Sequence, residues 1–266
     1  MTSGRPQQRR LAFGQVADLY DRVRPAYPPE LVEQVVHYAQ LEPGDRILDV
    51  GAGTGKATRQ FAATGHPVVA IEPSAEMAAV ARAASRDYST VTVVQAEFER
   101  WAVPAMLFKL VISAQAWHWI DPAVRDAKAR EALKPGGALA VFWSHVDWPS
   151  AKLGPVLAQA YHDAAPDFAA IGPMHPDTPP GDLIPDWEAE IGAVDGFERP
   201  EVRSFAWAQR YGAGEYVRLI STHSDHLVLD PEVLGRLLTR VGDAIEAHGG
   251  ELELPYVTRL CMARAV

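Results

Sequence analysis

The segment Arg46-Ile47-Leu48-Asp49-Val50-Gly51-Ala52-Gly53-Thr54-Gly55 constrains the fold more than any other part of this chain. Ile47, Leu48 and Val50 read as a strand buried on both faces, the pattern of a parallel sheet. Alternating glycines follow at once, so the strand must turn sharply, and a Cβ at these positions would hold the backbone away from any ligand. Lys56 to Ala63 reads as a helix. Its first N–H groups would point back into the crevice above the strand. A strand, a glycine turn and a helix make the first unit of a doubly wound nucleotide-binding α/β fold.

The spacing narrows the ligand. The dinucleotide fingerprint needs Gly or Ala at position 56, where Lys56 stands. The Walker motif needs Gly at position 50 and Ser or Thr at position 57, where Val50 and Ala57 stand. Pro67-Val68-Val69-Ala70-Ile71-Glu72 reads as the next buried strand, ending in an acid. Glu72 follows the glycine turn by about the ~20 residues at which such folds place a ribose-binding carboxylate. Pro73 and Ser74 then open a helix containing Met77, with Ser74 as its N-cap.

Asp49-x-Gly51-x-Gly53-x-Gly55 and the run Val-Val-Ala-Ile-Glu-Pro-Ser-Ala-Glu-Met resemble motif I and the following strand of the class I S-adenosylmethionine-dependent methyltransferases. The resemblance implies a seven-stranded, mostly parallel, Rossmann-like sheet. It implies cofactor contacts from Asp49, Gly51, Ala52, Gly53, Thr54, Gly55, Glu72, Pro73 and Met77. Val91 to Val94 reads as a third strand, and the family's loop after it meets the adenine. Glu97 is the expected partner of the adenine amino group, with Phe98 walling the ring; Glu99 fits the same role by a shift of two. Phe108 to Ser113 reads as the fourth strand, with Lys109 where the family has an acid. Ala114-Gln115-Ala116-Trp117-His118-Trp119-Ile120-Asp121 resembles the family's next loop, which implies that Ala114 and Gln115 border the cofactor. His118 either orients an acceptor carboxylate, takes a proton from a hydroxyl, or is a structural histidine. Trp117 and Trp119 line an acceptor pocket, or one of them is core. A helix to Leu133, a sharp turn at Lys134-Pro135-Gly136-Gly137 and a strand at Leu139–Trp143 complete the dense resemblance, over residues 13 to 144.

Tyr20-Asp21-Arg22-Val23-Arg24-Pro25-Ala26-Tyr27-Pro28 resembles the N-terminal segment of the trans-aconitate methyltransferase-like branch. That resemblance implies that Tyr20, Arg24 and Tyr27 face the site; the other reading is a segment that only packs on the sheet. Beyond residue 145 the chain reads as a helix at 151–165, a proline-rich loop at 174–185, a strand at 197–208, helices at 211–221 and 231–248, and a last strand at 252–265. The two helices inserted between the last strands form an expected cap, carrying Thr222, His223, Ser224, Asp225 and His226. His223 and His226 are acceptor-binding candidates, and Ser224 reads as a helix cap. The expected division is an N-terminal lid and helix at 1–40, a cofactor core at 41–145, and a cap with the closing strands at 146–266.

A net charge of -9 over 266 residues argues against an extended nucleic-acid surface. A single cysteine, Cys261, excludes an intrachain disulfide and a cysteine-based metal cluster. No acidic pair stands at strand ends to hold magnesium, so no metal is expected. No apolar run is long enough to span a bilayer and no signal peptide is evident, so a cytoplasmic protein without membrane partners is expected. Oligomeric state is not legible. The expected reaction is methyl transfer from S-adenosylmethionine to a carboxylate or hydroxyl oxygen of a small molecule. Two other readings stay open: a protein of the same fold that binds this cofactor without methylating, such as a cyclase or ligand sensor, and a nicotinamide-dependent oxidoreductase.

Overall fold

A computed structural model describes residues 16–169 and 186–266. The proline-rich loop expected at 174–185 and the start of the N-terminal segment lie outside the described residues. The strands are β1 (Ile47–Val50), β2 (Val68–Glu72), β3 (Val91–Gln95), β4 (Phe108–Ala114), β5 (Leu133–Val146), β6 (Glu201–Gly212) and β7 (Glu251–Arg264). They form one seven-stranded sheet in the order β3-β2-β1-β4-β5-β7-β6. β1 pairs in parallel with β2 and β4, β2 with β3, and β4 with β5. The chain therefore runs outward from β1 one way to β3, and the other way from β4. The reversal between β1 and β4 is the topological switch point at which such sheets bind ligands.

Alternation along the strands explains why helices cover both faces. Ile47, Leu110, Ile112, Ala138 and Ala140 join one cluster with Leu31, Val35 and Phe61 from the helices Pro29–Ala39 and Lys56–Ala62. Their neighbours Leu48, Val111, Leu139 and Val141 join a second cluster with Ala129 and Ile191 from the helices Pro122–Ala132 and Trp187–Gly192. Successive strand residues point to opposite faces, so two apolar layers arise from one apolar run.

The described residues fall into two compact units, 16–25 with 145–169 and 206–257, and 26–144 with 186–205 and 258–266. Each has its own core; Leu157, Tyr216, Leu237, Val241 and Leu254 belong to that of the first. The helix Pro29–Ala39, expected with the N-terminal lid, belongs to the unit of β1–β4 because its buried face packs there.

Among the element boundaries that differ from expectation, two have a clear local cause. Lys134–Gly137 is no turn before β5 but an irregularity within it. Pairing jumps from Phe108–Leu133 to Leu110–Ala138, so β5 advances five residues while β4 advances two. Pro135 has no N–H to donate, Gly136 has φ +66°, and a Cβ on Gly137 would lie 2.9 Å from the Lys134 carbonyl. The sixth strand begins at Glu201, later than Phe197. Pro200 breaks the ladder, and Phe197 is left with an isolated antiparallel bridge to Ala265.

Candidate active site

The carboxyl ends of β1, β2, β4 and β5 define the site, all within one compact unit up to Ser144. At the end of β1 the backbone turns through Gly51 (φ +72°), Gly53 (φ +58°) and Gly55 (φ +82°). The N–H groups of Gly51 and Ala52 both donate to the carbonyl of Ile71, at 2.9 and 3.0 Å. A Cβ on Gly51 would fall 2.4 Å from the Cβ of Ala116, so this glycine lets the loop after β4 close on the turn. Gly53 has open space around it, and only its φ calls for glycine.

Glu72 stands at the centre of the turn. One carboxylate oxygen accepts from the Gly53 N–H at 2.9 Å and the other from the Ser74 N–H at 2.9 Å. Ser74 caps the next helix by accepting from the Met77 N–H at 3.2 Å. Glu72 thus fixes the glycine loop and the helix start relative to each other. Pro73 is half-buried beside it and Met77 is buried.

Asp49 is fully buried and accepts from the Thr58 hydroxyl at 2.6 Å through Oδ2. Its Oδ1 has no hydrogen-bond partner among the described residues. Burial pushes its carboxyl up to about 7; the Thr58 hydrogen bond opposes this and the charge of Glu72 adds to it. The buried Thr54 hydroxyl likewise has no partner among the described residues, while the Thr54 carbonyl accepts from Arg59 at 2.8 Å.

The loop after β4 is held at several points. The buried Ser113 hydroxyl donates to the Val50 carbonyl at 2.8 Å. Gln115 adopts φ +60° and donates its amide to the Ser144 carbonyl at 2.9 Å. Ala114 is half-buried at the strand end. Trp117 is fully buried, with the Arg125 guanidinium 5.5 Å above its ring and donating to its carbonyl at 3.1 Å. Trp117 is therefore core, and Trp119 is the half-buried tryptophan of the pair. His118 packs against Trp119 and Trp143, with ring centroids 4.6 and 4.5 Å away, and Trp143 contacts Trp187 at 6.4 Å. The His118 Nδ1 is buried without a hydrogen-bond partner among the described residues. Burial, with the charge of Arg125 adding to it, lowers its pKa to about 4, so it is neutral at pH 7.

The expected adenine partners are placed unevenly. Glu97 is half-buried and pairs with the exposed Arg100 at 3.2 Å. Phe98 is buried in the core, with Lys128 Nζ 5.6 Å from its ring centre. Glu99 accepts from the Asp121 N–H at 3.3 Å, at the start of the helix Pro122–Ala132. Tyr27 exchanges two backbone bonds with the Gln60 amide and sets its ring edge-on to Phe142 at 4.8 Å.

Tyr20, Arg24, His223 and His226 belong to the other compact unit. Arg24 sits 4.9 Å over the Tyr20 ring and donates to Thr222, to Oγ1 at 3.0 Å and to the carbonyl at 3.1 Å. His223 and His226 are buried. Asp225 Oδ1 lies 2.8 Å from His226 Nδ1, and His226 Nε2 lies 2.8 Å from the Tyr161 hydroxyl. Sequence reasoning missed Ser113, Trp143 and Tyr161. Trp143 had a signal, since it ends the fifth apolar run; Ser113 and Tyr161 had none.

This α/β sheet with a locked glycine turn at its switch point is that of a methyltransferase: residues 47–137 match the methyltransferase domain family. More narrowly, over that stretch the chain is similar to the class I S-adenosylmethionine-dependent methyltransferases. An uncharacterized methyltransferase of Mycobacterium tuberculosis is 29% identical over 259 residues, covering 93% of each chain. A candidate type II methyltransferase from Anaeromyxobacter dehalogenans superposes with TM-score 0.61 at 21% identity, over 91% of this chain and 97% of that one. The phosphoethanolamine N-methyltransferase 2 of Haemonchus contortus, bound to phosphomonomethylethanolamine and S-adenosylhomocysteine, gives TM-score 0.56 at 15% identity, over 95% of this chain and 57% of that one. At these identities the solved structures speak for the fold alone. The matched relative carries only the general methyltransferase description, so the trans-aconitate-like branch rests on the N-terminal resemblance. No helix among the described residues is long and apolar enough to cross a membrane.

Proposed function

We propose that this methyltransferase binds S-adenosylmethionine on the turn Gly51–Gly55 and methylates an oxygen of a small-molecule acceptor. The observation that carries the cofactor reading is the buried, unpartnered Oδ1 of Asp49 beside a glycine turn that a Cβ would fill. An ammonium group suits that oxygen, because a buried carboxylate is stabilised by a paired charge. Glu72, at the end of β2 about 20 residues beyond the turn, is the carboxylate we assign to the ribose hydroxyls. When bound, the cofactor supplies an electrophilic methyl group on a sulfonium.

The chain's own contribution is alignment and exclusion of water. His118, Trp119 and Trp143 offer an apolar aromatic wall suited to the body of an acceptor. Neutral His118 accepts the proton that a hydroxyl acceptor releases as its oxygen gains the methyl; a carboxylate acceptor releases none, and His118 then only orients it.

Calorimetry with S-adenosylmethionine and S-adenosylhomocysteine tests the cofactor site. Affinities on the micromolar scale are expected, weakened by both Asp49→Asn and Glu72→Ala. Equal affinity in both variants would overturn the assignment. A screen of acids and phenols with labelled methyl donor then separates the acceptors. His118→Ala should lower turnover of a hydroxyl acceptor by roughly 10²-fold and affect a carboxylate acceptor far less.

A further inference from the structure

The methyl-transfer reading leaves one buried polar cluster unused. After the helix Ala213–Ile220 the chain makes tight turns, with backbone bonds from His223 to Ile220, Leu227 to His223 and Leu229 to His226. These turns bring His223, Asp225 and His226 together in the core of their unit, with one donor atom from each within 4.8 Å of the others. The cluster is more than a hydrogen-bonded triad. His223 Nδ1 and Asp225 Oδ2 are both buried without a hydrogen-bond partner among the described residues. A buried polar atom left without a partner is costly, and two at one place call for a shared complement.

We propose that His223, Asp225 and His226 form a binding site for a zinc-class divalent cation. The donor set of two imidazoles and one carboxylate suits zinc, cobalt or nickel better than magnesium or calcium, which prefer oxygen. The cation takes the place of the proton on His226 Nδ1. That ring nitrogen then gives its lone pair to the metal, the ring proton resides on Nε2, and Nε2 donates to the Tyr161 oxygen already 2.8 Å away. A metal-bound histidine whose other nitrogen donates to a fixed oxygen is the usual supporting arrangement. Asp225 contributes a carboxylate oxygen and His223 its Nδ1. At zinc–donor distances near 2.0–2.1 Å, tetrahedral ligands stand about 3.4 Å apart, so on loading the Asp225–His226 pair, now at 2.8 Å, opens slightly and His223 closes on it. Arg24, bonded to neighbouring Thr222, opposes a cation, and the Asp225 carboxylate offsets it.

The inference does not rest on methyl transfer, and its readout is metal binding. Full-length protein stripped with chelator is titrated with zinc against a chromophoric competitor. One tight equivalent per chain is expected, weakened about tenfold in Tyr161→Phe and more in His223→Gln and Asp225→Asn. Binding that is absent, or unchanged in both ligand variants, would overturn the site. Cobalt loading of the wild-type chain gives a reading that needs no variant. Intense tetrahedral absorption bands support the site, and a weak octahedral spectrum refutes it.

Discussion

Asp49 and His118 are buried groups that pull stability in opposite directions with pH. Asp49 is raised from 3.8 to about 7, so the native state keeps a proton the unfolded chain releases. Its contribution is full below pH 3.8 and is lost as pH rises through about 7. His118 is lowered from 6.5 to about 4, so its contribution is full above pH 6.5 and is lost as pH falls through about 4. Between those limits the two offset each other in the ligand-free protein. Relative to wild type, Asp49→Asn should therefore make the slope of stability against pH more positive across this window, and His118→Gln should make it less positive. Denaturant midpoints at a series of pH values read both slopes, and slopes that change in the same direction in the two variants would refute the account. The glycines divide just as sharply. Gly51→Ala combines a positive φ with a 2.4 Å approach to Ala116 and should cost on the order of 2–4 kcal/mol. Gly53→Ala meets only the φ penalty, about 1–2 kcal/mol. Ala116→Gly should recover part of the Gly51→Ala loss and none of the Gly53→Ala loss, as thermal unfolding of the double variants would show.

At the scale of elements, the site depends on how chain segments are tied. Ser113 and Gln115 bind the end of β4 to β1 and β5, and Glu72 binds the glycine turn to the next helix. Arg24 does similar work elsewhere: it follows the helix Ala17–Val23 and secures Thr222, just past the helix Ala213–Ile220. Arg24→Ala should cost roughly 1.5–3 kcal/mol, the range for hydrogen bonds to a charged group. Amide exchange should then rise over residues 213–229 while β1 and β2 stay protected; a uniform rise would contradict this local role. These ties explain which parts of the site were legible. The glycines, Glu72 and Ser74 announce themselves because steric demand and capping act within a few residues. Trp117 and Phe98 have the composition of pocket walls but lie in the core, a choice made by packing from distant segments.

For the whole molecule, two compact units with separate cores predict unequal responses to core damage. Leu237 is fully buried in the core it shares with Leu157 and Val241. Leu237→Ala should cost about 2–5 kcal/mol, with amide exchange accelerating first in residues 206–257. Equal acceleration in both units would show that they open as one. The sequence by itself determined the parallel sheet, its glycine turn and the acid that ends β2, because these follow from side-chain periodicity and backbone sterics over short stretches. It also carried the methyltransferase pattern across residues 47–137. Only the tertiary structure decided the jump in register between β4 and β5, the orphaned oxygen of Asp49, and the meeting of Tyr161 with His226 across 65 residues. Periodicity tells a side chain which face to take, but its partner is selected by long-range packing, which leaves no local trace in the chain.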